Sequence, residues 1–260
     1  MLKALSLAAY VAAAVVAVWA LYLPQRGLWA RRALAAGWMV QSWWLVRFGQ
    51  QLGGLPVSTL PEWLATVAWL VAGCSWLAMS YGRRYRAMGG FLLPVAVVLW
   101  AVDLGLLPRS RPGAEHLLHG GWLLVHVGSA TAAVVVFLLA AVVGLMYTEK
   151  ERELRLKSVE VFYYRLPALQ EMDRLSAVLA AGGLLLWLLA IGAGWIVSLS
   201  RSGTVSIFNA GALWALVTTC AYVAYLAMRQ FAGWRGRRAA VLLMTLFVVV
   251  AVNFVTIGRH

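Results

Sequence analysis

The most constraining feature of this sequence is its punctuation. Stretches of about 20 mainly apolar residues, the length that crosses a bilayer core as a helix, follow one another from end to end, separated by segments most of which bear arginine. Eight such stretches lie roughly at 4–22, 33–52, 61–82, 89–107, 120–147, 175–199, 206–228 and 238–257. Only 12% of the 260 residues are charged and 63% are apolar, whereas a soluble domain carries about a quarter charged residues. The expectation is an all-α, polytopic integral membrane bundle of about eight transmembrane helices. It forms one transmembrane domain over 1–260, multi-pass in the plasma (inner) membrane, with the lipid bilayer as its surroundings. The second stretch is the weakest, because Gln41 and Arg47 interrupt it. Only Lys3 precedes the first stretch while Arg26, Arg31 and Arg32 follow it, the reverse of a signal peptide's charge order, so a retained helix is expected.

The formal net charge of +13 raises nucleic acid as a partner, but that requires a solvated basic face, which this composition does not supply. The basic residues instead alternate by loop. Arg26, Arg31 and Arg32, then Arg83, Arg84 and Arg86, then Lys150, Arg152, Arg155, Lys157, Arg165 and Arg174, then Arg229, Arg235, Arg237 and Arg238 follow the odd-numbered stretches, sixteen of the 22. Positive loops stay cytoplasmic, which puts both termini outside. Residues 108–119, punctuated by Pro and Gly, read as an external loop. Residues 148–174 are the one long cytoplasmic segment, and their mixed charges extend helix five beyond the membrane until Pro167 disfavours further helix. This segment is either a solvated helix continuation or a surface for a partner protein.

Four histidines, His116, His119, His126 and His260, all fall on the external side of this topology. His119 and His126 share a face of helix five, two turns apart. Imidazole suits iron, copper or zinc, and a haem takes one imidazole on each side of its iron. His126 stands inside a membrane helix, where an ionisable side chain defaults to function; His116 and His119 read as solvated. Asp103 either snorkels to water or has a buried partner such as an arginine. Gln41, at mid-membrane, needs a hydrogen-bond partner on another helix. Among the 14 tryptophans, Trp19, Trp29, Trp63, Trp195 and Trp234 fit an aromatic belt at helix ends. Trp38, Trp43, Trp44, Trp69 and Trp76 lie deeper, either packing between helices or lining a flat apolar site. Cys74 and Cys220 lack C-x-x-C or zinc spacing and read as small buried hydrophobes. No phosphate-cradling glycine motif, G-x-S-x-G or H-E-x-x-H is present, so no enzyme chemistry is expected.

Three segments carry a family likeness: HVGSATAAVVVFLLAAVVGLMYTEKERELRLK at 126–157, RLPALQEMDRL at 165–175, and YVAYLAMRQFAGWRGRRAAVLLMTLFVVVAVNFVTIGRH at 222–260, with a fainter Pro56, Glu62, Trp69 run. Together they resemble the CcsA/CcmC/HemX cytochrome c assembly family. The resemblance implies a membrane protein that binds or moves haem, a haem b held at the external face with His126 and His260 as axial ligands of its iron. Ligation there requires neutral imidazole, so it should weaken as pH falls through the ordinary histidine range. A cytochrome c assembly protein is the implied partner. The family's assembly members also carry a tryptophan-rich external motif and two intramembrane histidines. Here Trp195 stands alone in 195–209, and Gln41 and Ala227 occupy the intramembrane positions. That pattern is similar to the HemX-like branch, which implies an alternative role: control of glutamyl-tRNA reductase and haem biosynthesis through the 148–174 segment.

Overall fold

Each apolar stretch becomes a helix. The computed structural model describes residues 2–22, 27–52, 57, 59–82, 85–105, 121–156, 166–202 and 210–257. The helices are α1 (Leu2–Tyr22), α2 (Gly27–Leu52), α3 (Leu60–Tyr81), α4 (Arg86–Gly105), α5 (Gly121–Leu156), α6 (Leu169–Ser202), α7 (Ala210–Phe231) and α8 (Arg237–Ile257), with no strand among the described residues. Six of them, α1 and α3 to α7, are long and apolar enough over their described residues to cross a membrane. The α2 helix falls short because it carries Arg31, Arg32, Gln41 and Arg47. At 1.5 Å per residue α5 and α6 are each about 50 Å long, well beyond a bilayer core of about 30 Å. The expected extension of helix five therefore forms, at least to Leu156, and the acidic first turn of α6 stands outside its spanning part.

The chain packs as two compact units, Met1–Glu115 with Lys150–Ala168, and His116–Glu149 with Leu169–His260. In the first, α1 packs on α2 and α4, and α3 packs on α2 and α4. Lipid tails are as apolar as leucine, so close packing and internal hydrogen bonds hold such helices together. A Cβ at Gly37 would lie 2.9 Å from both the Ala9 Cβ and the Tyr10 ring, so glycine is what lets α1 and α2 approach. Thr59 and Glu62 form a reciprocal capping box at the start of α3, with Pro61 beside it, which gives Glu62 a structural role.

Polar side chains in this unit find partners across helices. Gln41 is fully buried; its Oε1 accepts from the Tyr10 hydroxyl and its Nε2 donates to the Ala65 carbonyl at 3.0 Å. Trp38 donates to the Trp69 carbonyl at 3.1 Å, and Trp69 donates to Ser42 Oγ at 2.7 Å. The two indoles stack at 5.5 Å, so this pair packs helices and forms no open slot. Trp43 differs, being 58% exposed. Asp103 is buried and its partner is a lysine: Lys3, at the start of α1, donates to its Oδ2 at 2.9 Å, with its ammonium over the Trp44 ring. The Asp103 side chain is 2% exposed, so removing Lys3 alone strands a buried carboxylate. Lys3→Met should cost about 2–3 kcal/mol, and adding Asp103→Leu should recover much of that loss. Denaturant titrations of both variants in detergent would measure the coupling; additive losses would show that the pair contributes nothing.

Among the described residues of the 148–174 segment, several charges are paired within the chain. Lys150 is buried and donates to the Leu166 and Pro167 carbonyls at 3.0 and 2.7 Å, while Arg155 pairs with Glu151 one turn away. Residues 157–165 lie outside the described residues.

The second unit contains α5 up to Glu149, with α6, α7 and α8. Phe137 of α5 stacks on Tyr222 of α7 at 3.8 Å and fills the notch at Gly183 of α6, where a Cβ would come within 2.6 Å of its ring. Cys74 is half-buried, but Cys220 is exposed on the surface of α7. This corrects the expectation of burial for Cys220: an apolar helix places a small side chain on its outer face at no cost when that face meets lipid.

Candidate functional site

At one end of the second unit three distant segments converge on Asp173, near the start of α6. Arg229, in the last turn of α7, donates through Nη1 to its Oδ1 at 3.0 Å and through Nη2 to its carbonyl at 2.8 Å, and also contacts Oδ2. The Gly236 N–H donates to Oδ1 at 3.0 Å. Gly233 and Gly236 have φ of 66° and 70°, left-handed values that favour glycine, and a Cβ at Gly236 would lie 2.9 Å from the Tyr147 hydroxyl. Burial alone would push the Asp173 carboxyl up, but hydrogen bonds from Arg229 and Gly236, with the charges of Arg229 and Arg235, outweigh it and hold the group below the usual carboxylate range. All three segments that carry the family likeness thus meet here, and what they encode is a helix corner.

His126 belongs to the opposite end: along α5 the rise from His126 to Tyr147 is about 30 Å, a bilayer core's thickness. Its imidazole is half-buried against α6, with Nδ1 2.7 Å from the Ala190 carbonyl oxygen. Trp122, 54% exposed, lies one turn earlier and therefore on the same face of α5. Trp195 of α6, 53% exposed, follows Gly194, which itself borders the His126 ring. A half-buried imidazole with one nitrogen hydrogen-bonded to a backbone carbonyl is the usual form of a metal-ligating histidine, so His126 fits an axial ligand of haem iron. Apolar and aromatic neighbours of this kind suit a porphyrin edge.

Of the sequence-derived site residues, His126 is placed. His260 lies outside the described residues, as do His116 and His119, so no second imidazole is brought to His126 among the described ones. Nor is there a group of three or more His, Cys, Asp or Glu side chains able to hold a metal ion there. Gln41 is committed to Tyr10 and Ala65, which makes it a hydrogen-bond node of the first unit. Trp122, Ala190 and Gly194 carried no signal of their own; only the i, i+4 spacing of Trp122 and His126 was available to mark the first.

A family model described as Cytochrome C assembly protein matches residues 57–258. Similar proteins include the cytochrome c biogenesis protein CcsA of Prochlorococcus marinus (strain MIT 9301), 27% identical over 237 residues spanning 80% of this chain and 76% of the relative. The CcsA protein of Synechococcus sp. (strain RCC307) is 29% identical over 239 residues, with the same shares, and that of Synechococcus sp. (strain CC9605) is 24% identical over 253 residues, spanning 85% of this chain and 80% of the relative. No solved structure matches the chain.

Proposed function

Because this chain belongs to the cytochrome c assembly protein family, we propose that it serves cytochrome c biogenesis in the plasma membrane by holding a b-type haem. His126 and His260 would hold the haem iron, at the membrane face that the arginine distribution makes external. The observation that carries this reading is the His126 imidazole, set in a membrane helix and anchored through Nδ1 to the Ala190 carbonyl. Haem supplies the iron chemistry; the chain's own residues bind it and limit its contact with water. No bond-making side chain is assigned. An assembly partner protein then receives or shares the haem. The CcsA relatives favour this role over control of glutamyl-tRNA reductase.

Visible spectra of the purified protein, oxidised and reduced, test the reading. A low-spin, six-coordinate b-type spectrum is expected, either as purified or after haem addition; absence of haem bands in both preparations would refute it. Orientation is tested separately by reporter fusions. Those after Arg86 and Lys157 should read cytoplasmic and one after Pro112 external, and a cytoplasmic signal at Pro112 would overturn the placement of His126 outside.

A further inference from the structure

We infer that α6 selects the tautomer of His126, with Ala190 and Gly194 as positioning residues that leave Nε2 as the ring's ligating atom. A carbonyl oxygen only accepts, so a ring nitrogen 2.7 Å from the Ala190 oxygen must donate. In the neutral imidazole the proton therefore sits on Nδ1 and the lone pair on Nε2. The Ala190 oxygen has two lone pairs, one for the helical N–H four residues on and one for the imidazole. Reaching it requires the ring to pass directly over residue 194. A Cβ there would lie 2.8 Å from Nδ1 and 2.9 Å from Cε1, closer than real Cβ contacts allow. Glycine at 194 is thus a notch for the imidazole edge. Gly192, two residues earlier on α6, has nothing within 4 Å of the corresponding position, so the requirement belongs to the notch and not to the helix.

The consequence is a binding site whose orientation is set before any ligand arrives. A ring free to exchange tautomers would present Nε2–H for part of the time and would have to reorganise before ligating a metal centre. Selectivity for haem rests on the function proposed above; the tautomer does not, and the two are tested apart.

Nitrogen-15 NMR of histidine-labelled protein without haem, with the His126 signals assigned by their loss in His126→Ala, reads the tautomer directly. The expected result is a protonated Nδ1 and an unprotonated Nε2 at neutral pH. Gly194→Ala should shift the ring to a mixture of tautomers or to the Nε2–H form and weaken haem binding at least tenfold, while Gly192→Ala changes neither. An Nε2–H ring in the unsubstituted protein would overturn the inference, and needs no variant to fold. An unchanged tautomer in Gly194→Ala would overturn the role of the notch. An Nδ1–H ring in a protein that takes up no haem would uphold the inference and refute the haem reading; haem bound to a protein with an Nε2–H ring would do the reverse.

Discussion

Alanine at both His126 and His260 is expected to abolish haem binding, while alanine at either one leaves a five-coordinate, high-spin haem held at least tenfold more weakly. Each imidazole supplies one axial bond, so the spectrum counts them. The fold should survive, because the His126 ring contributes one hydrogen bond to packing, a net effect of about 1 kcal/mol. Circular dichroism and detergent-monomer yield check this alongside the visible spectrum. A double variant with the wild-type spectrum would remove both assignments and make His116 and His119 the next residues to replace. Because Trp195 is the sole tryptophan of 195–209, where the resembled family's assembly members carry several, slow haem loss during purification is expected even in the unsubstituted protein.

Asp173→Ala is expected to be the most damaging single change to stability. It leaves the Arg229 guanidinium without its carboxylate and the Gly236 N–H without its acceptor, in a pair whose side chains are 14% and 17% exposed. Losses of about 3 kcal/mol accompany the removal of one partner from such a pair. Folded protein recovered from membranes should fall several-fold, and the midpoint in denaturant should drop with it. Yield and midpoint unchanged from wild type would show that the corner is not a stabilising element. The pH dependence has a fixed sign. The folded carboxyl lies below its unfolded value of about 3.9, so its contribution is fully present above that value and is lost as pH falls through the lowered folded one. Between about pH 5 and 8 this contribution is therefore full and constant, so the group adds no pH dependence there, and acid sensitivity below about pH 4 should shrink in Asp173→Ala.

Several local expectations became contacts. Gln41 was expected to find a partner on another helix and has two, Tyr10 on α1 and Ala65 on α3. The alternation of Glu and Lys/Arg after residue 148 was read as helix continuing past the membrane, and α5 runs to Leu156. Asp103 was expected to have a partner such as an arginine if buried, and the partner is the lysine Lys3. Lys3 lies 100 residues away, and nothing in either segment names the other.

Gly194 shows why the site was harder to read than the fold. A glycine in an apolar helix carries no mark of the imidazole above it, since membrane helices are apolar on every side and have no polar face to betray which side is buried. The Gly233-Trp234-Arg235-Gly236 turn lies within the 222–260 segment that carries the family likeness, yet its use as a seat for Asp173 appears only when α6 and α7 are side by side.

Run length and arginine placement were enough to specify eight helices and an expected orientation, because both act locally: a helix must span the bilayer alone, and each flanking charge is held near its own end of that helix. Which small residue admits which ring, which cation meets which carboxylate and which nitrogen of His126 keeps its lone pair depend on atoms 2–4 Å apart but tens of residues apart in the chain. Contacts of that kind arise from helix packing, where lipid gives no hydrophobic drive and fit alone selects the partner.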